Sequence, residues 1–253
     1  MYDAVLFDLD DTLIDRRAAF LRWARSFYDA QPAVRAAVAW EEASRLLVEW
    51  DDRGAAGRPG FFNQIKHSWP GVVGTAGELG SRYWAVFPAS VHPDQRSLTL
   101  VRALREAGIP WGIVTNGGLY QRDKLRNAGL AGLPTAVVIS EVVGMWKPAP
   151  GIFQHALRLI GSAPAATLFV GDNPEADIAG AAGVGMPTAW VRAGRTEYPG
   201  PGPEPDYRVD HVDELGELLL GTKGEATLQQ ESPRPARARR MGRRGEEEAP
   251  PVG

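Results

Sequence analysis

Five short apolar runs recur along the chain, each separated from the next by a longer segment. They are "AVLFDL" at 4–9, "PWGIVT" at 110–115, "TAVVIS" at 135–140, "TLFVG" at 167–171 and "PTAWV" at 187–191. Runs of this length that are apolar on both alternating sets of positions suit strands buried on both faces. The segments between most of them read as helices. In 93–108, Leu100, Val101, Leu104 and Ala107 share one stripe, and Gly108 and Pro110 give stop signals. In 150–161, Ile152, Phe153, Ala156, Leu157 and Ile160 share one face. Segments 119–130, 174–185 and 212–220 complete the helical set. Strand-helix alternation predicts an α/β fold, a doubly wound parallel sheet with right-handed crossovers.

One segment breaks the alternation. Residues 15–88 show helical patterns and no convincing strand. "RRAAFLRWARSFYDA" at 16–30 places Phe20, Trp23 and Phe27 on one side, and a second helix is expected over 34–51. Five of the eight tryptophans (23, 40, 50, 69 and 84) lie here, which suits the core of a small helical unit. The other use of such residues is to line a substrate pocket. The expected division is therefore a core of 1–14 and 89–221, an inserted helical cap at 15–88, and a tail from 222 to 253. The tail has few large apolar residues and is expected to be disordered, because it cannot bury enough surface to offset its ordering entropy. It carries seven Lys and Arg against five Glu, so it is about +2 and the rest of the chain about -5, for a net charge of -3. An Arg run of this kind is usually solvated; contact with nucleic acid or acidic lipid is the other reading.

Composition removes several function classes. There is no cysteine, so neither disulfides nor thiolate metal sites exist. The four histidines are scattered without metal-ligand spacing. A hard cation held by carboxylates remains compatible. The N-terminal "MYDAVLFDLDD" lacks the basic region of a signal peptide, and no apolar run approaches membrane-spanning length. The expectation is a cytoplasmic protein, monomer or homodimer, with no nucleic-acid or membrane partner.

In doubly wound sheets, ligands bind outside the carboxyl ends of the strands. The unusual polar residues fall there: Asp8 and Asp10 after the first run, Thr115 and Asn116 after the second, Asp172 after the fourth. Lys147 follows the third run by a short loop. Each signal is weak by itself. An Asp-x-Asp pair also serves turns, "TNGG" is a common turn, a loop lysine is commonly solvated, and Asp172 and Asp177 suit a helix N-terminus. Four separated segments meeting at one edge is the stronger signal. Two close carboxylates repel unless a cation joins them. With Mg²⁺, one can remain ionised and attack phosphorus while the other, protonated, serves the leaving alcohol. The Gly pair of "TNGG" lets backbone N–H groups approach a phosphate, and Lys147 adds positive charge.

"FDLDDTL", "VTNG", "KPAP" and "VGDNPEADIAGA", in this order, resemble the four motifs of the haloacid dehalogenase-like hydrolase superfamily. The resemblance is to its phosphatase-type branch with a helical C1-type cap (subfamily IA-like), and it covers about residues 3–220. It implies that Asp8 is the nucleophile, forming an aspartyl-phosphate, and that Asp10 is the acid and then the base. It implies Mg²⁺ on Asp8, the Asp10 backbone carbonyl and Asp172. Thr115, Asn116 and Lys147 would hold the phosphoryl group, with Asp177 supporting Lys147 or a metal-bound water. The third motif often has Asp where Ala149 stands, and Trp146 is bulky for its position. The resemblance implies a small phosphomonoester substrate, with a nucleotide, flavin or sugar phosphate as candidates; the Trp-rich cap leans mildly towards an aromatic leaving group, since Trp can stack on bases or flavins. Arg53, Arg58, Lys66 and His67 are the candidate cap contacts. Dehalogenases of the family lack the second Asp, so Asp10 argues against halide displacement. A phosphomutase and a non-catalytic binding module on the same fold are the remaining alternatives.

Overall fold

The computed structural model describes residues 2–54, 57–199 and 202–221, except the side chains of 57 and 58. The expected tail at 222–253 and the Arg58 side chain lie outside the described residues. Strand β1 (Ala4–Phe7) is buried at all four positions. Five helices follow: α1 (Arg16–Ala30), α2 (Pro32–Ala37), α3 (Trp40–Asp51), α4 (Gly57–Ser68) and α5 (Ala76–Val86). Then come α6 (Gln95–Glu106), β2 (Trp111–Thr115), α7 (Tyr120–Asn127), β3 (Ala136–Ile139), the single turn α8 (Ser140–Val143) and α9 (Pro150–Ile160). The chain ends its described part with β4 (Thr167–Gly171), α10 (Gly180–Ala182), β5 (Thr188–Val191), β6 (Tyr207–Val209) and α11 (Gly216–Leu220).

The six strands form one parallel sheet in the order β3-β2-β1-β4-β5-β6. This is the expected α/β doubly wound, Rossmann-like architecture, and its strand order reverses at β1. Phe7 pairs with Ile113 on one side and Val170 on the other, so the chain leaves β1 at the middle of the sheet's carboxyl edge. That is the crevice where open α/β sheets bind ligands.

Three local features differ from the sequence expectation. Strand β6 was not anticipated: its three residues include only one buried position, Val209, and gain strand geometry by pairing with β5. The helix expected over 34–51 is two helices. Val38 is extended between them, and the Tyr28 hydroxyl donates to its carbonyl at 3.1 Å. A tertiary contact therefore takes the carbonyl and the break carries no Gly or Pro signal. The helix expected over 174–185 opens as a π-helical turn, Pro174–Ala179, before α10. Asn173 caps it, its Oδ1 accepting from the Glu175 and Ala176 amides.

One apolar cluster runs from Val5 and Phe7 in β1 through Phe20, Trp23 and Phe61 of the inserted helices. Trp23 alone has ring contacts with Phe20, Phe27, Phe61, Phe62 and Tyr83. A second cluster, including Leu6, Val114, Phe153 and Phe169, fills the other face. Both faces of the central strands are thus covered, as a parallel sheet requires. Among the described residues, no helix is long and apolar enough to cross a membrane.

Candidate active site

A cavity of about 480 Å³ opens at the carboxyl ends of β1, β2 and β4. Asp8, Asp10, Thr115, Asn116, Lys147, Asp172 and Asp177 all line it. The structure therefore brings together every core residue singled out from the sequence. The local fold explains each placement. Asp8 is the first residue past β1, and its amide still donates to the Val170 carbonyl at 2.8 Å. The chain then turns sharply: the Leu13 and Ile14 amides both donate to the Leu9 carbonyl, at 3.0 and 3.1 Å. Asp15 ends the turn as the N-cap of α1, accepting from the Ala18 amide at 2.7 Å. Asp11 takes φ +57 at this turn. Its carboxylate accepts from the Arg17 amide at 3.2 Å, yet it also lines the cavity and does not turn away to solvent. The Thr12 hydroxyl is buried without a partner among the described residues.

Two polar groups divide the cavity floor. In the first, Lys147 Nζ lies 2.5 Å from Asp8 Oδ1 and 2.6 Å from Asp177 Oδ1, with all three side chains buried. Asp177 Oδ2 accepts the Asn173 amide at 2.9 Å. Asn116 fixes the backbone of Lys147 reciprocally: its Nδ2 donates to the Lys147 carbonyl at 3.0 Å, and its Oδ1 accepts the Lys147 amide at 2.9 Å. A Cβ on Gly171 would overlap the Asp177 carboxylate, so only glycine suits the end of β4. In the second group, Lys124 Nζ lies 2.8 Å from both Asp10 oxygens. Gln121 Nε2 lies 3.0 Å from Asp10 Oδ2, 2.7 Å from Thr115 Oγ1 and 3.2 Å from the Asn116 carbonyl.

The electrostatics of the two groups differ. Burial pushes the Asp8 carboxyl well up; Lys147 opposes this, while Asp177 and Asp172 add to it. Burial also pushes Asp172 up, to about 7, with repulsion from Asp177 and Asp11 next. Burial disfavours the Lys147 ammonium, but Asp177 and Asp8 outweigh it and raise Lys147 above its usual range. For Asp10, burial again acts upward, yet Lys124 and then Arg16 prevail and hold it below the ordinary carboxylate range. The first group is an acid-rich pocket short of positive charge; the second is already an ion pair.

That shortage fits a divalent cation. Carboxylate oxygens of Asp8, Asp172 and Asp177 lie within 4.8 Å of one another, all buried. Both oxygens of Asp177 are engaged, by Lys147 and by the Asn173 amide. Among the described hydrogen bonds, Asp8 uses only Oδ1 and Asp172 only Oδ2. One carboxylate oxygen on each of Asp8 and Asp172 is therefore left for a hard cation, the donor type that such ions select.

Sequence reasoning missed Lys124, Gln121, Arg16 and Arg195. Arg195 Nη2 lies 2.9 Å from Asp172 Oδ2, and its Nη1 donates to the Asp172 carbonyl at 2.7 Å. Arg16, the first residue of α1, makes a buried two-bond pair with Asp51, at 2.8 and 3.1 Å. Arg53 reaches the cavity as expected. It sits in a left-handed turn with Asp52 and Gly54, at φ +51, +42 and +89 respectively, and stands 3.5 Å from Asp11 and 3.9 Å from Asp172. Lys66 and His67 do not line the cavity: Lys66 Nζ instead donates to the Pro70 and Val72 carbonyls at the end of α4, and His67 is exposed. Of the five tryptophans in the inserted segment, Trp84 alone lines the cavity, stacked on Tyr120 at 3.9 Å between centroids. Trp50 and Trp69 pack on each other, and Trp146 is half exposed away from the cavity.

The family model of the haloacid dehalogenase-like hydrolases matches residues 2–185. The chain belongs to that family. Across the whole fold it is 31% identical to the glyceraldehyde 3-phosphate phosphatase of Methanopyrus kandleri, over 87% of this chain and 97% of that protein. A crystal structure of a HAD phosphatase from Thermococcus onnurineus matches with TM-score 0.59 and 27% identity, over 85% of this chain and 97% of that one. A 2-haloacid dehalogenase from Pseudomonas syringae matches with TM-score 0.57 and 28% identity, over 87% and 98%. The haloacid dehalogenase-like fold thus carries both chemistries, and the side chains of the cavity must choose between them.

Proposed function

We propose that this chain is a Mg²⁺-dependent phosphomonoester hydrolase that acts on a small phosphorylated sugar or sugar-derived aldehyde. The observation that carries the reading is Asp10. It shares the cavity with Asp8 but stands outside the Lys147 group, a second carboxylate placed to exchange protons with a leaving alcohol. Halide leaves without a proton, so displacement of halide gives Asp10 nothing to do.

In the proposed reaction, an Asp8 carboxylate oxygen attacks phosphorus. The bond from phosphorus to the ester oxygen breaks with its electron pair on that oxygen, which takes a proton passed on by Asp10; Asp10, ionised beside Lys124 in the free protein, receives that proton from the ester monoanion as the ester binds. In the second half, Asp10 takes a proton from water as the water oxygen attacks phosphorus. The bond to Asp8 then breaks and returns its carboxylate. Lys147 and the Thr115 hydroxyl hold the equatorial oxygens, the Asn116 side chain keeps Lys147 in place, and Asp177 keeps its ammonium aimed at Asp8. Asp8, Asp172 and the Asp10 backbone carbonyl would hold Mg²⁺, which would supply the extra positive charge that phosphoryl transfer needs.

Helices α1–α5 act as the cap. With the turn at 52–54, their contribution to the cavity is polar and charged at Arg16, Asp52 and Arg53, with Tyr83 and Trp84 as the aromatic part. This lining favours a compact, hydroxylated or anionic leaving group over a large flat one, and replaces the earlier lean towards bases and flavins. The kinship with a glyceraldehyde 3-phosphate phosphatase supports the same choice. The test is phosphate release from a panel of triose, pentose and hexose phosphates, phosphoserine, nucleotides and flavin mononucleotide, with Mg²⁺ and with chelator. Mg²⁺-dependent turnover concentrated in the small sugar phosphates is expected. No turnover of any ester would remove the reading.

A further inference from the structure

We infer that Lys124 and Gln121 are positioning residues for leaving-group protonation, fixing the Asp10 carboxylate relative to the phosphoryl site. This rests on the phosphatase reading and assigns a role to a helix that the reading leaves unused. Both residues lie on α7, three positions apart, and so on one face of the helix. Both are buried, Gln121 fully and Lys124 at 2% exposure, so neither is a solvated surface residue. Burying an ammonium is costly unless it is paired. Its partner here is Asp10, met through both carboxylate oxygens, and the Phe87 and Tyr120 rings flank it at 5.3 and 5.4 Å.

The pair is more than a staple for the β1 loop. Backbone hydrogen bonds to the Leu9 carbonyl already close that loop. What Lys124 and Gln121 fix is the side chain of Asp10. Gln121 adds the link to the phosphoryl site: one amide nitrogen touches both the Asp10 carboxylate and the Thr115 hydroxyl. It does so while its Oε1 is buried with no partner among the described residues, a cost that a purely structural glutamine has no reason to carry. The proton donor and a phosphoryl-holding hydroxyl are thus set at a fixed spacing.

The consequence is a dependence on the leaving group. An alkoxide must be protonated as it departs, whereas p-nitrophenolate is stable without a proton. Wild type, Lys124→Met, Lys124→Arg and Gln121→Leu are compared by kcat/KM on p-nitrophenyl phosphate and on glyceraldehyde 3-phosphate. For Lys124→Met, the alkyl ester is expected to lose about 100-fold and the aryl ester less than about 3-fold, with Lys124→Arg recovering part of the difference. Equal losses on both esters, or no loss, would overturn the inference. If Lys124→Met does not fold, Gln121→Leu decides, since it removes the donor without exposing a buried charge. The same split at about 10-fold supports the inference, and no split overturns it. A wild type inactive on both esters would instead overturn the phosphatase reading itself.

Discussion

Lys147 and Asp8 meet at 2.5 Å although 139 residues separate them in the chain. The parallel sheet makes this possible: β1 is central, β3 lies two strands away, and the loop after β3 returns to the carboxyl end of β1. Lys147 also compensates Asp177, so one ammonium serves two buried carboxylates. Replacing it by methionine leaves both acids without their cation. Removing one partner of a buried ionic cluster costs about 3–5 kcal/mol. Lys147→Met is therefore expected to lose about that much in urea denaturation and about 100-fold or more in phosphate release. A variant within about 1 kcal/mol of wild type would show that the cluster does not depend on this lysine.

The strand ends were legible because strands and acids announce themselves locally. "AVLF" followed by Asp8 reads as a buried strand meeting a charge, and the same holds for "TLFVG" and Asp172. What such patterns lack is the partner. Lys124 in "QRDKLRN" looks like an ordinary solvated helix lysine; only Asp10, more than a hundred residues away, makes it a buried one. Arg16 likewise reads as surface until Asp51 accepts from both of its terminal guanidinium nitrogens. The break between α2 and α3 was invisible for the same reason, since a distant tyrosine hydroxyl produces it. The cap contacts divided similarly. Arg53 reaches the cavity through a left-handed turn that the sequence marks only by Gly54, while Lys66 is drawn to backbone carbonyls of the turn that follows its helix.

Metal-free protein is expected to lose stability as pH rises towards neutrality. Asp172 moves from an ordinary value of 3.8 up to about 7 in the fold, because burial and neighbouring acids disfavour its charge. Between those values the folded state binds a proton that the unfolded state has released, so stability falls with increasing pH across that window. Below about 4 the contribution is fully present, and above about 7 it is gone. Thermal denaturation in chelator at several pH values should show this decline, and Mg²⁺ should flatten it by pairing with the ionised form. A chelated protein equally stable at pH 4.5 and 7.5 would contradict this account of Asp172.

Arg53→Ala should act on substrate capture. The Arg53 guanidinium stands at the mouth of the cavity, is partly exposed, and donates to the Ala193 carbonyl at 2.8 Å. It is placed to meet the part of the substrate beyond the transferring group. Steady-state kinetics should show KM rising about 10-fold with kcat within about 3-fold of wild type. A fall in kcat at constant KM would instead put Arg53 in the chemical step.

In the proposed reaction Asp8 carries the phosphoryl group. Wild type and Asp8→Asn, with Mg²⁺ and the best ester of the panel, are acid-quenched within the first turnover and analysed by intact mass and peptide mapping. Wild type is predicted to gain one phosphoryl group on the peptide containing Asp8. Asp8→Asn is predicted to gain none and to release phosphate at least about 10⁴-fold more slowly. Undiminished phosphate release by Asp8→Asn, or a phosphoryl group mapped to another residue, would contradict the account.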